Sequence, residues 1–320
     1  MKVLFNFFAM LAISPMASFS LASTIETSIS DMPISTGATR TEVRYGPFHV
    51  QAQTMYPHTP YITTQKPCID CYLVAMQTEL EYINGTVANF DSGIWLHHLM
   101  QFNTNQADPV CAQNSGNLFY GPGNERPIWE LNSDAPFGYY VAQDDVWVNG
   151  VEIMNDSNDA KNVQVTVTYD WVPASTLVGQ AYKNADLIWV NIGDTCGDGE
   201  VPSQNGVTTF KSNVWESTVT GPILTARAHM HDGGMNATLY INGKVACLSE
   251  QSYAPRDGFT DAQGVSHLSG ASACADVGVL QKGDQLYMEA VYDSSKALQH
   301  NGKLDNFMAV MFMYVGVGGP

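Results

Sequence analysis

The stretch ILTARAHMHDGG, residues 223–234, decides how the rest of the chain is interpreted. It predicts one β-strand that runs into a tight turn at its Asp-Gly-Gly end. Side chains alternate between the two faces of a strand, so Arg227, His229 and His231 share one face. Two imidazoles on one strand face can bind a single metal ion, and neutral imidazole suits zinc, copper, iron or nickel. The alternative is a polar, solvent-facing strand edge that carries two histidines without a metal.

A second histidine pair lies in the first half of the chain, in GIWLHHLM at residues 93–100. Adjacent residues of a regular strand point to opposite faces, so His97 and His98 can reach one ion only where the strand bulges or ends. The alternative places one of these imidazoles in the core and the other on the surface. Regular strand geometry alone favours this alternative.

Short runs of β-branched and aromatic residues alternate with Gly, Asn, Asp and Pro clusters, and no sustained helical repeat of apolar residues is present. This pattern predicts an all-β sandwich fold. Asn242-Gly243 predicts a two-residue hairpin turn. The clearest strands are 41–50, 72–82, 93–102, 145–153, 163–172, 187–192, 207–210, 223–231, 237–248, 285–292 and 307–317. A polar stretch near the middle predicts a boundary between a first sandwich at 41–175 and a second at 183–320.

The N-terminal segment, residues 1–22, has the pattern of a secretory signal peptide: a positive start, an apolar run and a small-residue cleavage site. A Ser- and Thr-rich stretch follows at 23–40, and it predicts a loose lead-in. No later stretch is long and apolar enough for a membrane span. The net charge of −17 argues against nucleic acid or an anionic membrane as a partner. We therefore expect a secreted, extracellular protein.

All six cysteines follow the signal segment, and an even number in an exported chain favours disulfide bonds. Cys68 and Cys71 form a CxxC pattern that also occurs in redox and zinc sites, but export favours structural bonding. Three Asn-x-Ser/Thr sequons predict N-glycosylation, and their acceptors are Asn84, Asn155 and Asn236.

The closing strand carries Met308, Met311 and Met313. Methionine by default fills irregular gaps in a core. A thioether is also a soft ligand that favours copper, especially Cu(I). Both interpretations apply to Met308.

Three pieces of the chain together resemble the copper type II, ascorbate-dependent monooxygenases, the family of peptidylglycine α-hydroxylating and dopamine β-monooxygenases. These pieces are Trp-Leu-His-His-Leu at 95–99, Arg-x-His-x-His at 227–231, and the methionine in Asp-Asn-Phe-Met at 305–308. The contexts at 71–76 and 80–93 are also similar to that family. The resemblance covers residues 60–320 in outline, and the three motifs carry its specificity.

The resemblance implies two antiparallel, jelly-roll-like β-sandwich domains that face each other across a cleft, each with one copper site. The second-domain site would consist of His229, His231 and Met308 and would perform C–H hydroxylation with O₂ and ascorbate. The first-domain site would include His97 and His98 and would supply an electron. Arg227 would anchor an anionic group of the substrate.

Two positions depart from the family pattern. Thr168 stands where the family has a third histidine in the first domain, so only His49, His58, His267 or His300 could replace it. Val310 and Phe312 stand where the peptide-hydroxylating branch has polar groups that help to seat a carboxylate. A more apolar or aromatic small molecule fits these two substrate-binding positions better than a glycine-extended peptide.

The sequence thus predicts a secreted copper-dependent monooxygenase that acts on a small organic or peptide-like substrate. The alternative is a non-catalytic copper-binding or surface-interaction protein on the same scaffold, which Thr168 favours. A carbohydrate-binding sandwich without a metal is a third possibility. Blue-copper electron carriers are disfavoured because they need a cysteine thiolate ligand.

Overall fold

The structure, a computed structural model, describes residues 28–57, 62–253, 256–300 and 303–318. The described chain is all-β, as predicted. Its strands are β1 (Thr39–Val50), β2 (Thr54–Tyr56), β3 (Ile62–Thr63), β4 (Cys71–Tyr82), β5 (Ile94–Asn103), β6 (Asn117–Tyr120), β7 (Trp129–Glu130), β8 (Phe137–Val141), β9 (Trp147–Asn155), β10 (Lys161–Pro173), β11 (Lys183–Asn191), β12 (Glu200–Val201), β13 (Val207–Lys211), β14 (Trp215–Glu216), β15 (Gly221–Met230), β16 (Gly234–Ile241), β17 (Lys244–Ser252), β18 (Gly270–Ala271), β19 (Val279–Leu280), β20 (Gln285–Asp293), β21 (Gln299–His300), β22 (Lys303–Leu304) and β23 (Phe307–Gly318).

Helical structure in the described ranges is confined to short 3₁₀ turns, at Ile29–Asp31, Phe90–Ser92, Gly179–Ala181 and Ser294–Lys296. None of these turns could span a lipid bilayer. The predicted signal peptide, residues 1–22, lies outside the described residues.

The hairpin prediction at Asn242-Gly243 is confirmed. Both residues have positive φ, 51° and 74°, and they join β16 to β17. A two-residue turn with two left-handed positions matches the twist of the strands on either side, and asparagine and glycine tolerate those positions best. The long apolar run 237–248 is therefore two strands.

Three large sheets and a two-stranded sheet of β21 and β22 make up the described fold. The largest follows the order β1-β10-β4-β8-β11-β23-β15-β19 and runs through both halves of the chain. A sheet of order β2-β9-β5-β6 belongs to the first half, and one of order β13-β20-β16-β17-β18 belongs to the second. The strands pair antiparallel throughout the ladders of these sheets except at β8 and β11, which pair in parallel and join the two halves. The β-sandwich prediction is confirmed, and the halves share one continuous sheet.

Strand β23 separates two hydrophobic cores. Val310, Phe312 and Tyr314 belong to the first core, and the alternate residues Met311 and Met313 belong to the second. Side chains of a strand alternate between its faces, so a strand that is buried on both sides contributes to two cores. This explains why β23 is apolar almost without interruption.

All six cysteines form disulfide bonds, which pair Cys68 with Cys71, Cys111 with Cys196, and Cys247 with Cys274. The CxxC pattern is therefore a structural bond, as expected. The bond from Cys111 links the first half of the chain to the second. Three disulfides are typical of proteins from oxidising compartments.

The lead-in predicted at 23–40 is described from Ser28 onward, and this part is docked rather than loose. Ile29 is buried, and its amide donates to Gln77 at 2.7 Å. Arg40 pairs with Asp170 at 2.7 Å. The buried side chain of Ile29 and the Arg40–Asp170 pair attach the segment.

The three predicted glycosylation acceptors lie in different surroundings. Asn84 is exposed in the turn after β4, and Asn236 is half-buried in β16. Asn155 is fully buried, and its Nδ2 donates to the carbonyls of Val50, Gln51 and Asp159. The folded chain gives no access to that amide, which corrects the prediction for Asn155.

Candidate metal centre

Four histidines converge where the two halves meet. His97 and His98 lie on β5, His229 lies near the end of β15, and His231 follows that strand directly. The Nε2 atom of His98 is 3.0 Å from Nε2 of His229 and 3.2 Å from Nε2 of His231. Ligand atoms of His97, His98 and His231 all lie within 4.8 Å of one another. The histidines that the sequence assigns to two separate sites thus form one cluster, here called the histidine cluster.

A β-bulge allows the two adjacent histidines to reach this cluster together. In the pairing of β5 with β9, Leu96 is opposite Ile153 and His98 is opposite Glu152, so His97 is the extra residue. The ring centroids of His97 and His98 are 4.1 Å apart. The alternative with one imidazole in the core and the other on the surface is therefore wrong, because the bulge removes the alternation on which it rests.

Two glutamates hold the outer nitrogens of three of these imidazoles. One oxygen of Glu152 lies 2.5 Å from Nδ1 of His98 and 3.2 Å from Nδ1 of His97. Both oxygens of Glu125 lie 3.0 Å from Nδ1 of His229. A carboxylate accepts, so each Nδ1 carries the proton and donates. Carboxylates in this position are typical of metal-binding histidines, because they fix the tautomer and the ring orientation.

The fourth imidazole is held by the main chain. Nδ1 of His231 donates to the carbonyl oxygen of Asn306 at 3.3 Å, and the amide of His231 donates to the carbonyl of Met308 at 3.1 Å. With Nδ1 protonated in this way, Nε2 carries the lone pair. His98, His229 and His231 therefore turn unprotonated nitrogens toward one another.

Burial keeps the imidazoles of His98 and His231 neutral. It lowers the pKa of His98 to about 3, with a further contribution from the neighbouring His97. Burial also lowers the pKa of His231 well below its ordinary value, and His97 and His98 add to this effect. An imidazolium in this position would be desolvated and repelled by its neighbours.

The two glutamates are ionised in spite of their burial. Burial alone would raise the pKa of Glu152, but hydrogen bonds from His97 and His98 outweigh it and lower that pKa. Burial likewise opposes ionisation of Glu125, but the close contact and hydrogen bond with His229 outweigh it, so that this pKa is also lowered. The two carboxylates that surround the histidine cluster are thus negatively charged.

This donor set fits a metal ion. Neutral imidazoles whose lone pairs face one another at 3.0 and 3.2 Å repel unless a cation lies between them. Metal–imidazole bonds of about 2.0–2.1 Å place two nitrogens on one ion about 3.0–3.4 Å apart at angles between square and tetrahedral. The two Nε2–Nε2 separations lie in that range, and the negative charges of Glu125 and Glu152 favour a cation. Imidazole nitrogens bind zinc, copper, iron or nickel.

Met308, Val310 and Phe312 line a cavity of about 380 Å³ together with His98 and His229. We call this space cavity B. The three residues alternate along β23 and so share its face toward the first core. The thioether of Met308 therefore lies on the same cavity as two of the imidazoles, whereas Met311 and Met313 fill the second core.

Arg227 does not share that cavity. Its guanidinium lies over the ring of Trp129, 5.7 Å from the ring centroid, although it shares a strand face with His229. Trp129 lies in turn beside Phe312 at the edge of the first core. This arrangement is a cation–π contact between Arg227 and the first core.

A second space, cavity A, has a volume of about 320 Å³ and lies on the other side of the histidine cluster. Its lining residues are Met55, Phe90, Trp95, His97, Asn124, Glu125, Met154, Glu200, His229, Met230, His231, Asp232, Leu268, Leu298, Asp305 and Asn306. Both halves of the chain contribute to it. Its size lies at the lower end of the range for small-molecule sites.

Thr168 lies on the wrong face of its strand for a metal ligand. Val167 and Tyr169 belong to the first core, so Thr168 between them points to the opposite face of β10. Of the other candidates, His49 is exposed and bonds a residue of β10, and His267 is buried and bonds Asp232. His58 and the side chain of His300 lie outside the described residues. The second half supplies His229 and His231 as neighbours of the His98 imidazole instead.

Known proteins resemble this chain in part. Residues 161–316 match the family model described as stress up-regulated Nod 19. Two named relatives are similar. A probable copper-dependent oxygenase M1 from Phoma sp. is 29% identical over 259 residues, covering 79% of this chain and 65% of that protein. A probable copper-dependent oxygenase clz3 from Cochliobolus lunatus is 29% identical over 250 residues, covering 76% of this chain and 79% of that protein.

The match spans less than two thirds of the length of the first of these relatives. The two names support a copper oxygenase-like family in general, rather than the peptide- and dopamine-hydroxylating family that the motifs resemble. A solved structure described as the crystal structure of the STIV MCP aligns with a TM-score of 0.36 at 10% identity, over 88% of this chain and 97% of that chain. A likeness this low carries no argument.

Glu125, Glu152 and Gly123 are part of the site but were not predicted from the sequence. Gly123 forms a bridge with His98, and a Cβ atom there would overlap the ring of His229. The run Gly121-Pro122-Gly123 before Glu125 is a turn signal that could have marked this loop. No local sequence pattern predicts the role of Glu152, because that role depends on the register between β5 and β9.

Proposed function

We propose that this protein is a secreted copper-dependent oxygenase that hydroxylates a C–H bond of a small organic or peptide-like substrate, using O₂ and a reductant such as ascorbate. The observation that carries the proposal is the histidine cluster, with its Nε2 lone pairs facing one another and its Nδ1 protons held by ionised glutamates. The names of the two relatives favour copper among the metals that imidazole accepts, and an oxygenase among its uses.

The chain itself would supply binding, orientation and exclusion of water. His98, His229 and His231 would hold the ion, with His97 beside them. Met308, on cavity B, would offer a soft thioether that stabilises Cu(I). Copper in such a site binds and activates O₂ and accepts electrons from a reductant. Glu125 and Glu152 would keep the protons on Nδ1, so that the Nε2 lone pairs stay available to the ion.

The closer relation to the type II copper monooxygenases is also a proposal. It rests on the three motifs, of which two meet in the cluster. One shared cluster replaces the expected pair of distant sites, so a single ion would perform both oxygen activation and electron uptake from the reductant. Secretion is proposed from the N-terminal segment and agrees with the three disulfides.

The alternative, a non-catalytic copper-binding protein, is favoured by the number of imidazoles. Catalytic metal sites keep an open position, whereas structural sites are closed by their protein ligands. Four imidazoles on one ion would fill its coordination, and three would leave room for O₂. The count of bound nitrogens therefore separates the two functions.

The experiment uses protein produced through an oxidising secretory pathway, loaded with copper and washed with a chelator. Metal analysis, the nitrogen hyperfine pattern in electron paramagnetic resonance (EPR) and ascorbate-driven O₂ consumption are measured on the same sample. We expect one copper per chain, three coordinated imidazoles and O₂ consumption well above that of the His98→Ala variant. That variant, treated identically, controls for ascorbate oxidation by loosely bound copper.

Absence of copper from correctly disulfide-bonded protein would overturn the proposal. Copper held by four imidazoles, with no O₂ consumption above the variant, would establish the binding protein instead.

A further inference from the structure

Phe90 and Trp95 form an aromatic wall of cavity A and belong to a fixed stack of three rings. The ring of Phe90 stacks on Trp95 at 4.6 Å and on His267 at 3.7 Å. Trp95 Nε1 donates to Asp156 at 2.8 Å, and His267 Nδ1 lies 2.5 Å from Asp232. Each outer ring is thus held by a carboxylate. The wall is set before any ligand arrives, which lowers the cost of binding.

This wall lies directly beside the histidine cluster. The rings of Trp95 and His97 meet edge to face, with centroids 5.4 Å apart and an interplanar angle of 83°. His97, His229 and His231 line the same cavity. A flat molecule on the aromatic wall would therefore lie next to the proposed copper site. Met154 and Leu298 pack against the stack and complete an apolar surface from both halves.

The charges around cavity A have one sign. Glu125, Glu200, Asp232 and Asp305 line it, and no lysine or arginine occurs among the lining residues that the structure describes. Arg227, the predicted anchor for an anionic group, lies over Trp129 instead. In the metal-free protein, a carboxylate inside this cavity would lose its hydration, find no lysine or arginine among the described lining residues and meet the repulsion of the acidic residues. An uncharged molecule avoids all three costs.

We propose that cavity A is the substrate site, and that it takes uncharged aromatic molecules and excludes carboxylates. This rests on the proposed function, because it names the substrate class of the same centre. It also departs from the anionic substrate that Arg227 would have implied.

The test compares 2-naphthol with 2-naphthoate, two probes with the same ring system and different charge, by equilibrium dialysis at pH 7.5. Binding is measured on metal-free protein and on zinc-loaded protein, because zinc has no redox chemistry and a carboxylate could bind to the ion itself. We expect 2-naphthol to bind at least tenfold more tightly than 2-naphthoate to the metal-free protein. Equal or tighter binding of 2-naphthoate to that protein would overturn the inference.

Two pairs of variants locate the binding. Leu298→Trp fills cavity A and should weaken 2-naphthol binding at least tenfold, whereas the same change at Leu177, which is 89% exposed and lies outside the cavity, should leave it unchanged. Glu200→Lys should improve 2-naphthoate binding about fivefold to the zinc-loaded protein, and Glu216→Lys should not. Unchanged 2-naphthol binding in Leu298→Trp would place the probe elsewhere and overturn the inference.

The two proposals fail separately. A protein that binds copper and consumes O₂ but does not bind 2-naphthol would overturn only the substrate class. A protein that binds 2-naphthol in cavity A but takes up no copper would overturn only the oxygenase.

Discussion

Replacement of Glu125 by glutamine tests the histidine cluster most directly. The carboxylate is 2% exposed, and both its oxygens lie 3.0 Å from Nδ1 of His229. Glu125→Gln keeps the size of the side chain and one acceptor but removes the charge. Its amide also offers a donor, which can turn toward Nδ1 and favour the tautomer that has its proton on Nε2. That proton would point into the metal site.

The size of the effect follows from the hydrogen bond that is lost. A hydrogen bond to a charged group contributes about 1.5–3 kcal/mol and a neutral one about 0.5–1.5 kcal/mol. The difference, about 1–1.5 kcal/mol, corresponds to roughly tenfold in a dissociation constant. We therefore expect Glu125→Gln to weaken copper binding about tenfold. Glu125→Ala, which removes both acceptors, should weaken it about a hundredfold, at the upper end for residues that support a metal ligand.

The assay is a Cu(II) competition titration against a chromophoric chelator, with circular dichroism as a check on the fold. Glu216→Gln, on the exposed side of β14, is the matched control and should bind copper as the wild type does. If Glu125→Gln bound copper within twofold of the wild type while its fold was unchanged, the carboxylate would not support a metal ligand. The interpretation of the cluster would then be refuted.

Three further predictions follow from single positions. Gly123→Ala should weaken copper binding more than tenfold and destabilise the chain by about 1–3 kcal/mol in urea titrations, because its Cβ overlaps the ring of His229. Gly270→Ala is the matched control: its Cβ atom has space, so this change should neither weaken copper binding nor destabilise the chain. Thr168→His should leave the nitrogen pattern in EPR unchanged, because this residue points away from the first core; an added nitrogen would contradict the fold. Mapping of glycopeptides from secreted protein should find glycan at Asn84 and none at Asn155, and an occupied Asn155 would contradict its burial.

Most of the strand pattern could be predicted from the sequence, because it depends on local signals. The Asn242-Gly243 turn and the alternation of polar and apolar residues in 223–231 are properties of short segments. The condition for His97 and His98 to act together, a bulge, was also available from strand geometry. Whether the bulge exists depends on the pairing of β5 with β9, which no single segment determines.

The meeting of the two histidine pairs could not be predicted from local patterns. It depends on how the halves dock, and this is set by the parallel pairing of β8 with β11 and by the shared cores. The supporting glutamates were missed for the same reason. Glu125 and His229 are far apart in sequence, and an isolated glutamate in a loop has no pattern that separates it from a solvated one.

The position of β23 between two cores has a consequence for the integrity of the whole chain. A fragment limited to the second half would expose Val310, Phe312 and Tyr314 to water and would keep only two of the four clustered histidines. Neither half can then be exchanged or inherited as an independent module without loss of the centre. Thermal unfolding should proceed as one cooperative transition, in which the site disappears together with both sandwiches.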